Sequence, residues 1–315
     1  MGVGPVRFAQ VGEEWVGYRV LGDVSERAIL YLPTLASNID YALGPPDQEL
    51  FFERLAEFAT VVFFDRRGTG VSDGVPDVIA PTLEDWADDA LAVLEALGLT
   101  RVTILAHALG VPPALSFAAG YPSRVDSLVL VDGFARLTSC DGYDIGVPAS
   151  SRVIERIVDS VAQSWGEGSA FFAANPKMRG DPVYEEFMPR VERATFGRAA
   201  ATRAFRIWLT VDVRDVVPLV QAPCLVLQGT DRRSPVEAGR WMAAQLPDAR
   251  LVEYDNTHFS WWHMEGREVA LDAIEEFITG GRAERPPERV LATVLFLDIV
   301  GSTERAAALG DGALA

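Results

Sequence analysis

The chain has 315 residues, 49% of them hydrophobic, which suffices for one large α/β domain, or for one domain plus a fragment of another. With 28 basic and 45 acidic residues the net charge is −17, so the surface repels phosphate backbones and anionic lipid; the nearest thing to a basic patch, Arg232-Arg233, is too small, and neither nucleic acid nor a membrane is an expected partner. Cys140 and Cys224 lack metal-ligand spacing, no apolar run nears the roughly 18 residues of a membrane span, and MGVGPVRFAQ has no signal core, so the default location is the cytoplasm.

In chain order, residues 7–23 predict two strands around a Gly-Glu turn. Short, nearly continuous apolar runs at 28–33, 60–65, 101–107, 125–132, 222–229 and 250–255 predict strands buried on both faces. Helical patterns alternate with them. One is at 51–59; another, 82–98, opens with Thr82 and Asp85 at capping-box spacing. The pattern at 234–246 opens with Ser234, Pro235 and Glu237, and 267–281 closes on Gly280-Gly281. The alternation predicts an α/β fold with a doubly wound, mostly parallel sheet. Residues 135–215 interrupt it with several helices and no evident strand, rich in Trp165, Phe171, Phe172, Phe187, Phe196, Phe205 and Trp208. These aromatics form either a cap over the strand ends or only the insert's own core. A Gly-, Pro- and charge-rich linker follows at 281–288.

At ILAHALGVPP (104–113) a strand passes into a helix through Ala106-His107-Ala108-Leu109-Gly110. A nucleophile elbow needs small residues two positions either side of its apex, and Ala106 and Gly110 meet that need. The helix behind the turn points amide N–H groups at it, a place for an oxyanion. The apex itself is Ala108, a methyl where an attacking oxygen would stand.

Together with FDRRGTGVSD (64–73), LQGTDRRSP (227–235) and NTHFSWW (256–262), this turn resembles the α/β-hydrolase family across residues 8–280. The resemblance implies an α/β-hydrolase fold with an all-helical cap, Asp231 as the acid, His258 as the base, and Ala108 at the nucleophile position. A His activates the nucleophile and an acid holds its tautomer, but Ala108 offers neither oxygen nor proton. Thr34, Leu35 and Leu109 are the oxyanion or pocket residues; where relatives often carry His-Gly, this chain has Pro33-Thr34-Leu35. The resemblance thus implies a domain silent as a serine hydrolase, binding a small apolar ligand in a capped pocket. Three alternatives stay open. Ala108 replaces a serine by engineering and the parent is an ester hydrolase; or a lyase or oxygenase works through His258 without serine; or the domain is a ligand-free dimerisation module. His258 and Asp231 either bind ligand or only tie two loops together. His107, Asp65 and Arg66 read as structural, and His263 as a polar residue near the pocket or surface.

RVLATVLFLDIVGSTERAAALGD (289–311) resembles the opening of a class III adenylyl/guanylyl cyclase domain. By position, Asp298 and the Ile299 carbonyl would be metal ligands, with Mg²⁺ or Mn²⁺ expected for a complete cyclase and no cofactor for this chain. The second metal Asp and the transition-state residues of that family lie further downstream, so the segment reads as truncated and inactive. The expected organisation is a hydrolase-like domain at 1–280, a linker at 281–288 and the cyclase start at 289–315. It resembles actinobacterial hydrolase–cyclase fusions, whose parent chain makes cyclic AMP from ATP and assembles as a homodimer.

Overall fold

β1 (Arg7–Val11) and β2 (Glu14–Leu21) form an antiparallel hairpin turned at Gly12, whose φ of 61° suits glycine. The hairpin is the edge of an eight-stranded sheet in the computed structural model, which describes residues 2–32, 38–74, 82–230, 235–255 and 267–281. Next come β3 (Ala28–Leu32), α1 (Pro46–Ala56), β4 (Thr60–Phe64), α2 (Leu83–Ala96), β5 (Val102–His107), α3 (Val111–Gly120) and β6 (Val125–Val131). The insert holds α4 (Ser151–Ser164), α5 (Ser169–Ala174), α6 (Pro182–Thr195) and α7 (Arg198–Thr210). β7 (Cys224–Gly229), α8 (Val236–Gln245), β8 (Ala249–Tyr254) and α9 (Arg267–Thr279) complete the domain.

The strand order is β1-β2-β4-β3-β5-β6-β7-β8; β2 meets β4 antiparallel, and every later pairing is parallel. Every residue of β3, β4, β5 and β7 is buried, the signature of strands covered on both faces. One face packs on α2, α3 and α8 through Val93, Leu94, Leu115, Phe117 and Met242. The other packs on α1 and α9 through Phe51, Phe52, Leu55, Leu271 and Ile274. β8 is only partly buried, and its edge carries Arg250 paired with Glu276 and Glu253 paired with Arg240, charges that discourage pairing with another chain. The fold is therefore the doubly wound, mostly parallel α/β sheet that the alternation predicts.

Two boundaries differ from expectation. α1 begins at Pro46, five residues before the predicted start, because Pro46 sits in the first turn, where its missing N–H costs nothing, and Asp47 and Glu49 favour the positive helix end. The insert is helical only from Ser151 to Thr210. Its first part, rich in Gly142, Gly146 and Pro148, makes isolated bridges instead, Arg136 with Asp212 and Thr138 with Val147. Gly146, at φ 91°, lies where any Cβ would overlap the Leu137 carbonyl. The Arg136–Asp212 ion pair, 2.7 Å, clamps the two ends of the insert together.

The aromatics divide between the insert's own cores and a contact with α2. Phe172 packs with Met178, Tyr184 and Met188, and Trp165 with Val161 and Ala201, as cores of the insert itself. Trp208 instead packs on Trp86 of α2, with ring centres 4.9 Å apart. Asn38 donates to the Ala194 carbonyl and Gly70 N–H to that of Thr195, so α6 also rests on the loops at the strand ends. The Glu192 carboxylate accepts the N–H groups of Gly166, Gly168 and Ala170 and thereby caps α5. Burial raises its pKa, against the lowering effect of those backbone donors. Residues 1–282 form one unit and 283–315 a second; apart from Gly281, the linker and the cyclase-like segment lie outside the described residues.

Gly133, just past β6, abuts the start of α3: a Cβ there would stand 2.7 Å from the Val111 Cβ. Gly133→Ala should destabilise the domain by about 1–3 kcal/mol through overpacking. The double variant Gly133→Ala/Val111→Ala should lose less than the sum of the single changes, measured by urea unfolding.

Candidate active site at the strand-to-helix elbow

Ala108 stands at the apex predicted for it. β5 ends at His107, Ala108 has φ 49°, and a short 3-10 turn (Ala108–Gly110) leads into α3. The apex lies at the centre of the sheet, since Ala106 pairs with Leu32 of β3 and with Leu130 of β6. The Ala108 side chain is 0% exposed. Pro112 and Pro113 fall in the first turn of α3, where prolines are tolerated. The first amides of a helix have no intrahelical acceptor, so the amides of Leu109 and Gly110 open an end that favours negative charge. The site can thus polarise a carbonyl or hold an anion, while a methyl cannot attack one.

Only one other non-glycine residue among those described has a positive φ, Asp132 at 47°, one position past β6 and beside the elbow. It is buried, and its carboxylate accepts the Tyr254 hydroxyl at 2.6 Å, the Gly229 N–H at 2.7 Å and the Gln228 side-chain amide at 3.3 Å. It therefore fastens the ends of β6, β7 and β8 into one platform.

The third wall is the turn after β4. Asp65 accepts the N–H groups of Ile39 and Val71, and Ser72 bonds the Asp65 carbonyl and the Gly17 N–H. Gly70, at φ 53°, lies where any Cβ would overlap the Asp65 carboxylate. Arg67 donates to Asp89, Glu14 and the Asp85 carbonyl. Arg66 instead lays its guanidinium over Trp86, 4.0 Å from the ring centre, and 5.9 Å from that of Trp208. Burial lowers Arg66 to about 10, against the raising influence of Asp89 and Asp65.

Residues 40–273 match the profile of the alpha/beta hydrolase family. The chain belongs to that family. It is 26% identical over 71% of its length to the 2-(acetamidomethylene)succinate hydrolase of Mesorhizobium japonicum, of which the match covers 80%. It is 24% identical to the Karrikin insensitive 2 receptor IA of Petunia hybrida, over 71% of this chain and 82% of that one. Among solved structures, an esterase from Exiguobacterium antarcticum superposes with a TM-score of 0.74 at 21% identity, covering 86% of this chain and 98% of the esterase. Hydrolases predominate among these relatives, and the fold is theirs.

Within the family frame, the structure places Ala108 at the elbow and Leu109 directly behind it, packed on the Trp86–Trp208 pair. Asp231, His258, Thr34, Leu35, Asp298 and Ile299 lie outside the described residues. β7 and β8, which precede Asp231 and His258 in the chain, end side by side at Gly229 and Tyr254. Sequence reasoning missed Asp132, although a strand-terminal Asp before Gly was its visible signal. Among the described residues no cluster of three or more His, Cys, Asp or Glu side chains could hold a metal ion, and no helix is long and apolar enough to cross a membrane.

Burial pushes the Asp65 carboxyl up to about 7 from an ordinary 3.8, against the backbone donors Val71 and Ile39 and the charge of Arg66. As pH rises from 4 to 7 the unfolded chain therefore gives up this proton before the folded one does. Stability falls through that window and levels off above it, by at most about 4 kcal/mol from this group. Urea unfolding at pH 5 and pH 8 should show a larger loss in the unmodified chain than in Asp65→Asn; equal losses would contradict the assignment.

Proposed function

We propose that the domain binds a small, largely apolar ligand beneath its cap without forming an acyl-enzyme. The supporting observation is Ala108: the family's elbow is built, with its left-handed backbone and the helix end behind it, around a side chain that cannot attack. A ligand held there would meet polarising amides and no nucleophile, so binding would not lead to acyl transfer. The similarity to a plant protein named as a receptor agrees with ligand recognition as a use of this fold. The resemblance of 289–311 to the start of a class III cyclase supports a further role. In that role the domain is the cytoplasmic sensing or organising part of a homodimeric cyclase, which ligand binding would bias toward one arrangement.

A second reading is an active hydrolase, and the relatives favour it, since the Mesorhizobium protein and the Exiguobacterium structure are both named for hydrolysis. In that reading a water directed by His258, with Asp231 behind it, replaces the missing hydroxyl. Serine-independent lyase or oxygenase chemistry through His258 would leave the same elbow.

The unmodified chain should hydrolyse activated esters at background, far below the ~1–10³ s⁻¹ of ordinary enzymes. If Asp231 and His258 are aligned on the apex, Ala108→Ser should acquire a burst of acylation, seen as a mass increase on the protein; no burst would mean that the site differs from a serine hydrolase's beyond the nucleophile. Ester turnover at enzymic rates by the unmodified chain, abolished in His258→Ala, would replace the first reading with the second.

A further inference from the structure

Adjacent arginines in the turn after β4 have different environments. Arg67 donates through three nitrogens to Asp89, Glu14 and the Asp85 carbonyl. Among the described residues no acceptor is hydrogen-bonded to Arg66, which stacks on Trp86, lies near the ring of Trp208 and feels the charges of Asp89 and Asp65 without bonding them. A guanidinium carries all its N–H donors in its plane, so stacking on Trp86 covers a face and leaves the donor edge unengaged.

That side chain also lines an apolar cavity of about 20 Å³ with Leu32, Phe64, Trp86, Gly110 and Phe117. Gly110 belongs to the elbow, and Leu109 packs on the same tryptophan pair. The cavity runs from Gly110 and Pro113 at the start of α3 inward between α2, at Ala87 and Ala90, and the buried strands at Leu30 and Ile104. Its volume admits a group of one or two small heavy atoms, since a single water needs roughly 10–15 Å³. A partly buried, planar cation beside an apolar hole makes one composite environment, suited to a small anion with a short apolar tail.

The charges facing Arg66 do not fill this role. Asp89 is engaged by the side chain and N–H of Arg67, and Asp65 by the N–H groups of Ile39 and Val71. On a chain of net charge −17, an unengaged guanidinium beside the elbow stands out against the general repulsion of anions.

We infer that Arg66 is the ligand-recognising residue of the elbow site and binds the carboxylate of a small aliphatic acid, edge-on, with the acid's short chain in the cavity. The inference rests on the elbow being a ligand site. It goes further by naming the ligand class and the residue that selects it. The competing role for Arg66 is a brace, holding Trp208 of the cap to Trp86 of α2 without any ligand.

Propionate and its neutral isostere propionamide separate the two roles. Titrated calorimetrically into the full chain at pH 8 and low salt, propionate should bind with a Kd of about 1 mM, at least tenfold tighter than propionamide. Arg66→Met removes the fork; it should lower propionate affinity at least tenfold and propionamide affinity by much less, so that the preference is lost. Arg66→Lys keeps the charge and loses the fork, and should retain only part of the preference. Equal affinity for the two probes would overturn the role of Arg66 and leave the ligand site standing. Failure of both probes to bind at about 50 mM would overturn the ligand site as well. A preference that survives in Arg66→Met would assign anion recognition elsewhere. The comparison of probes in the unmodified chain decides the matter even if a variant does not fold.

Discussion

To carry the chain from the middle of the sheet into α3, Ala108 takes a left-handed backbone that an L-residue adopts only at a cost of about 1–2 kcal/mol. The surroundings hold it there. β5 is hydrogen-bonded on both sides, to β3 and to β6, up to the residue before the turn. The start of α3 sits against Gly133, where a side chain would push Val111 away. Asp132, next to that glycine, has its own positive φ and is tethered by Tyr254 and Gly229. The two strained residues thus share one corner of the sheet, and each is fixed by elements distant in sequence, which is how strain persists in a folded protein.

The same corner sets the position of the cap. Because the reversal is tight, Leu109 emerges beside α2 and packs on Trp86, and Trp208 of α7 closes over that pair. Arg136 and Asp212 then tie the insert's two ends, so the cap is anchored at its base, at the Trp86–Trp208 pair and where α6 meets Asn38 and Gly70. The acids around the site are engaged internally: Asp65 and Asp132 by backbone amides, Asp89 by Arg67. The surplus of negative charge on the chain as a whole does not predict the field at the elbow, where a guanidinium and a helix end face the cavity.

How much of this was legible follows from the range of the interactions. Strands such as 60–64 and 102–107 were readable because burial on both faces leaves an uninterrupted apolar run. The Thr82–Asp85 capping box was readable because both partners lie within one turn, and it forms as expected. The start of α1 is not legible from the apolar pattern at 51–59, because its first turn is set by Pro46, Asp47 and Glu49, which carry no apolar periodicity. The apex was legible from Ala106, Ala108 and Gly110 alone, since the turn's steric demand is local. The ties of Asp132 to Tyr254, 122 positions away, and of Arg66 to Trp208 were not, because no local pattern encodes which distant strand or helix arrives beside them. A doubled arginine gives no sign of which member is engaged by carboxylates and which is left over an indole.

The elbow of this chain separates two functions that coincide in a serine hydrolase. There, the strained apex exposes a nucleophile, and the strain is part of presenting it. Here the apex is a buried methyl, so the backbone conformation contributes nothing to attack. It still aims α3, seats Gly133 and Val111 together, and opens the cavity between Gly110 and Phe117. Those tasks are architectural and do not depend on a hydroxyl. They account for a left-handed apex without reference to the side chain it carries. A hydroxyl added at Cβ of residue 108 would start from the elbow backbone, so its reactivity would report on the base, the acid and the oxyanion donors and not on the turn.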